Sequence, residues 1–326
     1  MVVIDVQNCF LPGGSLATGN SRNSAELPAS TLAKSIARFI NTEAPEHVFV
    51  SKDWHTPGHT SFVSEADRAA GMMDFPSAAG KGEYAKGIAA GRYTGKSLTN
   101  PRYWGTEAER FDQKLWPEHC VQGTPGADLD AAFEATLSAE NKAKAVTILK
   151  GDTADIDSYS VVADALGNFT PHDEAGKTFM SILQESNIGE IYITGIARDV
   201  CVFWSALDML NYWILPAFKT GKVIKLIFMY DLTRPVSPVP GAPYTDKTKA
   251  QIEDAAKELV AAMGLGPEVY EQVFEVREGG YSAAGGKRKT GKKVKKGGKR
   301  KTGKKGKKGG SSCKKNHAHV KSCWGQ

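Results

Sequence analysis

Residues 188–211 read IGEIYITGIARDVCVFWSALDMLN. Ile188–Thr194 is a short, nearly continuous apolar run of the kind a buried strand needs. From Asp199 to Asn211 the pattern turns helical, and Cys201 falls at the junction. The same alternation extends in both directions. Met1–Asp5 (MVVID), His47–Lys52 (HVFVSK), Ala145–Lys150 (AVTILK) and Lys222–Tyr230 (KVIKLIFMY) are strand-like. Leu27–Asn41, with Leu32, Ile36, Phe39 and Ile40 at helical spacing, and the segments 175–185 and 245–263 are helix-like. Apolar strands separated by amphipathic helices predict an α/β fold, a doubly wound, mostly parallel sheet with helices on both faces. Roughly 280 residues fit a single domain of this class, so the expected organisation is one domain over 1–280. Residues 64–113 interrupt the rhythm with a Gly-, Ala-, Lys- and Arg-rich stretch, read as a long excursion or lid near a pocket.

The chain has 326 residues, 41% of them hydrophobic and 24% charged, with a mean hydropathy of −0.34. No run approaches the roughly 18 apolar residues of a spanning helix, and MVVIDVQNCF lacks the basic start of a secretory signal. The expectation is a cytoplasmic protein, neither secreted nor membrane-bound. Five scattered cysteines do not read as a disulfide framework, so reduced thiols are expected. The net charge of +6 conceals an asymmetry: 17 of the 42 Lys and Arg lie in 285–326, which holds no Asp or Glu, leaving 25 basic against 36 acidic residues. That tail repeats GGKRKTGKKVKK (285–296) as GGKRKTGKKGKK (297–308). Its composition cannot bury enough apolar surface to offset chain entropy, so 281–326 is expected to be disordered. Its cations suit sequence-independent contacts with nucleic acid or another polyanion, or a nuclear-import role. Cys313, His317, His319 and Cys323 form C-x3-H-x-H-x3-C, which is not a standard zinc spacing.

Three chemically able residues fall at strand ends. Asp5 and Lys150 close their strands and Cys201 opens a helix, and carboxyl ends of parallel strands line the ligand crevice of such sheets. Acid, ammonium and thiol together make a nucleophile set, with Asp5 taking the thiol proton and Lys150 and the helix N-terminus favouring a thiolate. A second cluster lies in SKDWHTPGH (51–59). Asp53 and His55 are two apart on a strand end and share a face, His59 follows in a Pro–Gly turn, and His119 comes from WPEHCVQGTPGA (116–127). One carboxylate with two imidazoles is the donor set of a catalytic divalent metal, zinc first, with iron or manganese as alternatives.

Five segments in order, VVIDVQNCFLPGGSLA, KDWHTPGHTSF, LWPEHCVQGTPGA, LKGDTADIDSYS and ITGIARDVCVFWSALD, resemble the isochorismatase-like cysteine hydrolases over about residues 1–235. Within them the metal block is similar to the nicotinamidase/pyrazinamidase branch. The resemblance implies Cys201 as nucleophile, Asp5 as general base and proton carrier, and Lys150 as orienting cation. It implies Asp53, His55 and His119 as metal ligands, with His59 a further ligand or a hydrogen-bond partner of metal-bound water. It also implies a cis peptide at Ile196–Ala197, an oxyanion hole from the Ala197 and Cys201 N–H groups, and Phe10 and Trp116 sandwiching a pyridine ring beside Tyr159. At residue 9 the family commonly carries Asp where this chain has Cys. The activity implied is deamidation of nicotinamide to nicotinate in NAD salvage. The rivals are another small amide of the same superfamily, or a polyanion-binding protein with a vestigial hydrolase body. A homo-oligomer is compatible with the sequence.

Overall fold

The computed structural model describes residues 1–18, 29–63, 115–235 and 247–278. The 64–113 excursion and the basic tail, with its Cys/His cluster, lie outside these residues. The strands are β1 (Val2–Ile4), β2 (Val48–Asp53), β3 (Ala145–Lys150), β4 (His172–Asp173), β5 (Glu190–Ile196), β6 (Lys225–Arg234) and β7 (Phe274–Arg277). The helices are α1 (Ala29–Glu43), α2 (Ala131–Thr136), α3 (Ala139–Ala143), α4 (Phe179–Glu185), α5 (Cys201–Met209), α6 (Leu215–Lys219), α7 (Lys249–Ala262) and α8 (Pro267–Val273). Among the described residues the strands form one sheet, ordered β4-β3-β2-β1-β5-β6-β7. All pairings are parallel except the edge pair β3–β4. The expected α/β class and most elements are present. The short β4 edge and the α2, α3, α8 and β7 segments carry too few apolar repeats to announce themselves in sequence.

Consecutive strand residues point to opposite faces, and Val2, Val3 and Ile4 are all buried. Both faces of the sheet centre are therefore covered, which is what continuous apolar strands require. Each such Val or Ile contributes about 1.5–3 kcal/mol by leaving water. Helix α1 turns Leu32, Ile36, Phe39 and Ile40 inward at the spacing read from sequence. The helix opened by Cys201 runs farther than the expected Asn211. It passes through a π-helical turn, Leu210–Ile214, into α6, where Pro216 sits in the first turn. There its missing N–H is tolerated. Among the described residues no helix is long and apolar enough to cross a membrane.

Cysteine pairing departs from the expectation. Cys9 and Cys120 form a disulfide across 111 residues of sequence, their Cα atoms 5.6 Å apart, and Cys201 is the free thiol among the described residues. Counting cysteines cannot reveal that a turn after β1 and a loop before β3 meet in space. A closed loop of that length is worth roughly 4–5 kcal/mol in the chain-entropy account.

The close approach of β5 to β1 rests on Gly195, whose φ is +114°. A Cβ there would stand 2.0 Å from the Ile4 carbonyl oxygen, so nothing larger fits without separating the strands that carry Asp5 and Cys201. Gly195→Ala is expected to lower unfolding stability by about 3 kcal/mol or more, read by urea denaturation. A loss below about 1 kcal/mol would show that the two strands can part freely.

Candidate active site

Asp5, Asp53, His55 and Lys150 are delivered by strand ends or the residues just after them, Cys201 by a helix start and His119 by the loop before α2. Asp5 follows β1 with φ +50°, a left-handed backbone that non-glycine residues adopt mainly where the surroundings impose it. Lys150 ends β3 directly beside Asp53, which ends β2, and the two are register partners. Cys201 is the first residue of α5, so its backbone N–H has no partner within the helix. Here Asp5, Asp53, Lys150 and Cys201 are all buried.

Lys150 is the hub. Its Nζ lies 2.9 Å from Asp5 Oδ2, 3.0 Å from Asp53 Oδ1, 3.3 Å from the Ser158 carbonyl and 3.6 Å from Cys201 Sγ. Burial works against its charge, but the two carboxylates win and hold it protonated well above the usual lysine range. Asp5 is pushed up by burial, against the pull of Lys150. Its Oδ1 accepts from Ser51 Oγ at 2.6 Å.

The expected thiolate does not hold. Burial is the first cause, and it drives the Cys201 thiol well above its ordinary value; Asp5 and Asp53 push the same way, and Lys150 opposes them. At 3.6 Å an ammonium favours a thiolate by roughly 4–5 kcal/mol at an effective dielectric near 20, which desolvation and two carboxylates outweigh. Burial carries the outcome, and the two carboxylates around the sulfur add to it. The arrangement suits a neutral S–H whose proton passes to Asp5 as the sulfur attacks, rather than a standing anion.

The second cluster adjoins the first through Asp53. Its Oδ2 is 3.0 Å from His55 Nε2 and 3.4 Å from His119 Nε2. His55 Nδ1 faces the Gly151 carbonyl at 2.9 Å, and His119 Nδ1 faces the Pro117 carbonyl at 2.7 Å. A carbonyl only accepts, so both Nδ1 atoms carry hydrogen, and each Nε2 is turned to the Asp53 carboxylate, where it would offer a lone pair to a cation on giving up its proton. That tautomer, fixed by backbone carbonyls, is the one metal-bound histidines adopt. The three buried ligand atoms lie within 4.8 Å of one another, and the donor set fits a divalent ion. Burial raises the Asp53 pKa, but His55 and Lys150 outweigh it and hold the carboxyl well below its usual range. Burial lowers His55, but Asp53 prevails and raises it.

His59 stands differently. Its Nδ1 accepts from Ser61 Oγ at 2.7 Å, and its Nε2 faces the Thr153 and Ile156 carbonyls at 3.1 and 3.2 Å. Both nitrogens are thus engaged by the protein while the ring packs 4.2 Å from that of His55. Burial, then the charge of His55, carries its pKa down to about 4, so it stays neutral. His55, His59 and Asp157 nonetheless bring ligand atoms within 4.8 Å of one another as well.

Phe10, Trp116, Tyr159, Ala197 and Cys201 line one pocket with Asp53, His55 and His119, enclosing about 360 Å³ including its open mouth. Trp116 Nε1 donates to Tyr159 Oη at 3.1 Å, which fixes the indole plane. The Ile196–Ala197 peptide is cis, as the resemblance implies, and the Ala197 carbonyl accepts from the Val200 and Val202 N–H groups.

Sequence reasoning missed three supports. Gln7 clamps Asp53 from both sides: its Nε2 donates to the Asp53 carbonyl and its Oε1 accepts the Asp53 N–H, each at 2.8 Å. Ser51 shares the face of Asp53 two residues on, a period-2 signal that was available in VFVSKD. At Gly151, φ is +69° and a Cβ would sit 2.8 Å from His55 Cε1, which no local pattern announces.

The chain is 30% identical to the Acinetobacter baylyi nicotinamidase over 226 residues, 67% of this chain and 80% of that protein. It is 26% identical to the Mycobacterium tuberculosis nicotinamidase/pyrazinamidase over 267 residues, 80% of this chain and 98% of that protein. A solved Acinetobacter baumannii nicotinamidase/pyrazinamidase is 26% identical, with a TM-score of 0.47 covering 84% of this chain and 93% of that one. No family model matches the chain.

Alkylation tests the neutral thiol. Alkylation follows the thiolate fraction, and a raised pKa lowers that fraction at any given pH. In metal-free protein the Cys201 rate with iodoacetamide, followed by peptide mapping, is therefore expected to climb only above the ordinary thiol range. A midpoint below that range would show a resting thiolate instead.

Proposed function

The chain belongs to the nicotinamidase family, and on that premise we propose that it hydrolyses nicotinamide to nicotinate and ammonia through a thioester on Cys201. The observation that carries the reading is the single buried contact set in which Lys150 reaches Asp5, Asp53 and Cys201 at once. It unites a nucleophile, a proton acceptor and a metal-ligand carboxylate beside an aromatic pocket.

The planar ring enters between Phe10 and Trp116, with the indole held by Tyr159. The Cys201 sulfur attacks the amide carbon as its proton moves to Asp5. The oxyanion is received by the Ala197 and Cys201 N–H groups, where one such donor is worth about 3–4 kcal/mol to a transition state. Asp5, its pKa already raised by burial, returns the proton to the departing nitrogen, and ammonia leaves a thioester. Asp5 then takes a proton from water, which hydrolyses the thioester and regenerates the thiol. Lys150 keeps its charge throughout, orienting Asp5 and offsetting negative charge on sulfur.

Asp53, His55 and His119 would hold the divalent ion, with zinc the reading that one carboxylate and two imidazoles favour. When bound, the ion supplies Lewis acidity and positive charge to that wall of the pocket. The Lys- and Arg-rich segment 285–326 keeps its proposed affinity for polyanions. A comparison of full-length and 1–284 protein on immobilised DNA at rising salt decides it, and equal retention of the two would remove the idea.

Ammonia release from nicotinamide, pyrazinamide and a carbamoyl amide tests the assignment. Nicotinamide should be turned over best, and Cys201→Ala should lower kcat by on the order of 10⁴-fold or more. Near-parental release by that variant would refute the thioester. Asp5→Asn should lose turnover while retaining nicotinamide binding by calorimetry, and loss of binding alone would remove its proton-transfer role.

A further inference from the structure

Two residues outside the catalytic set sit between its two halves. Cys9 belongs to the 3-10 turn Asn8–Phe10 and is followed by Phe10, a ring-side wall of the pocket. Cys120 directly follows His119, and its carbonyl accepts the His55 N–H at 3.1 Å. The disulfide joining them therefore ties the aromatic wall to a loop that carries one candidate metal ligand and braces a second. The rings of Phe10 and His119 lie 5.5 Å apart across this tie.

Other bonds hold the loop more loosely. Gln122 N–H reaches the His55 carbonyl at 2.9 Å, and Gln122 Nε2 reaches the Trp54 carbonyl at 2.8 Å. Both run from the loop to the β2 end; the turn bearing Phe10 is hydrogen-bonded only to the far end of the loop, where Asn8 N–H reaches the Asp128 carbonyl at 3.0 Å and Asn8 Nδ2 the Pro125 carbonyl at 2.8 Å. Loss of the disulfide therefore leaves the loop attached to β2 and, from Pro125 on, to the turn, but frees the His119–Cys120 stretch from the aromatic wall.

We propose that Cys9–Cys120 is a redox modification site whose reagent is a small dithiol, and that its state sets how firmly His119 is held in the metal set. This rests on the reading of His119 as a metal ligand. The step is thiol–disulfide exchange. A thiolate of the dithiol attacks one protein sulfur and the S–S bond breaks. The second thiol of the reagent then closes on the mixed disulfide. Two electrons and two protons pass to the protein, giving two thiols and the cyclic disulfide of the reagent. Both cysteines are buried, so attack requires local opening of the loop.

The test uses the full chain in a Cys201→Ala background, so that the nucleophile does not compete. Differential alkylation and peptide mapping establish the state of Cys9 and Cys120 before and after dithiothreitol, which is then removed anaerobically. Zinc affinity is measured by competition with a chromophoric chelator. Reduction is expected to weaken zinc binding by about tenfold or more, the scale seen when supports of metal ligands are lost. Cys9→Ala in the same background should match the reduced protein and ignore dithiothreitol. Equal affinities in the two redox states, or free Cys9 and Cys120 in air-oxidised protein, would overturn the tether. A protein that binds zinc in neither state sinks the His119 assignment and the tether with it.

Discussion

One ammonium group organises this molecule. Lys150 is buried, and a buried cation persists only where partners compensate its lost hydration. Asp5 and Asp53 do so from the ends of neighbouring strands, at 2.9 and 3.0 Å. The same ammonium lies beside the Cys201 sulfur, so the groups that make Lys150 tolerable are the groups through which the chemistry runs. Removing either carboxylate would leave an uncompensated charge in the core as well as an altered site.

The parallel sheet makes that cluster possible. Central strands β1, β2, β3 and β5 present their carboxyl ends at one edge, and each ends in, or hands over to, a residue of the site. Gly195 lets β5 approach β1 closely enough for α5 to begin over Asp5. Gln7 holds the Asp53 backbone and Ser51 the Asp5 carboxylate, turning strand ends into oriented groups. The electrostatic consequence runs against intuition for a cysteine hydrolase: burial, reinforced by two acids crowded around one lysine, keeps the thiol protonated. It does place the proton acceptor and the sulfur against the same ammonium.

Much of the fold was legible because its signals are local. The apolar run Ala145–Lys150 matches β3 in full, and Leu32, Ile36, Phe39 and Ile40 face inward from α1 as their spacing requires. Short elements such as β4 and α2 escaped, since two to six residues are too few to repeat a period. The catalytic and metal candidates were also legible, as Asp, Lys, Cys and His at strand ends and in loops rich in Pro and Gly. Their protonation was not. The thiol was expected to ionise from the helix terminus and lysine alone, while desolvation and the second carboxylate depend on what surrounds the sulfur.

Residue order by itself determined the α/β class, the succession of strand ends and the set of groups able to act, because periodicity and residue chemistry are properties of short stretches. Only the folded chain decided which of those groups touch, which nitrogen of His55 and of His119 faces Asp53, and that Cys9 meets Cys120. Such facts arise where segments a hundred residues apart share a few ångströms, and there distance and exclusion of water set the energies.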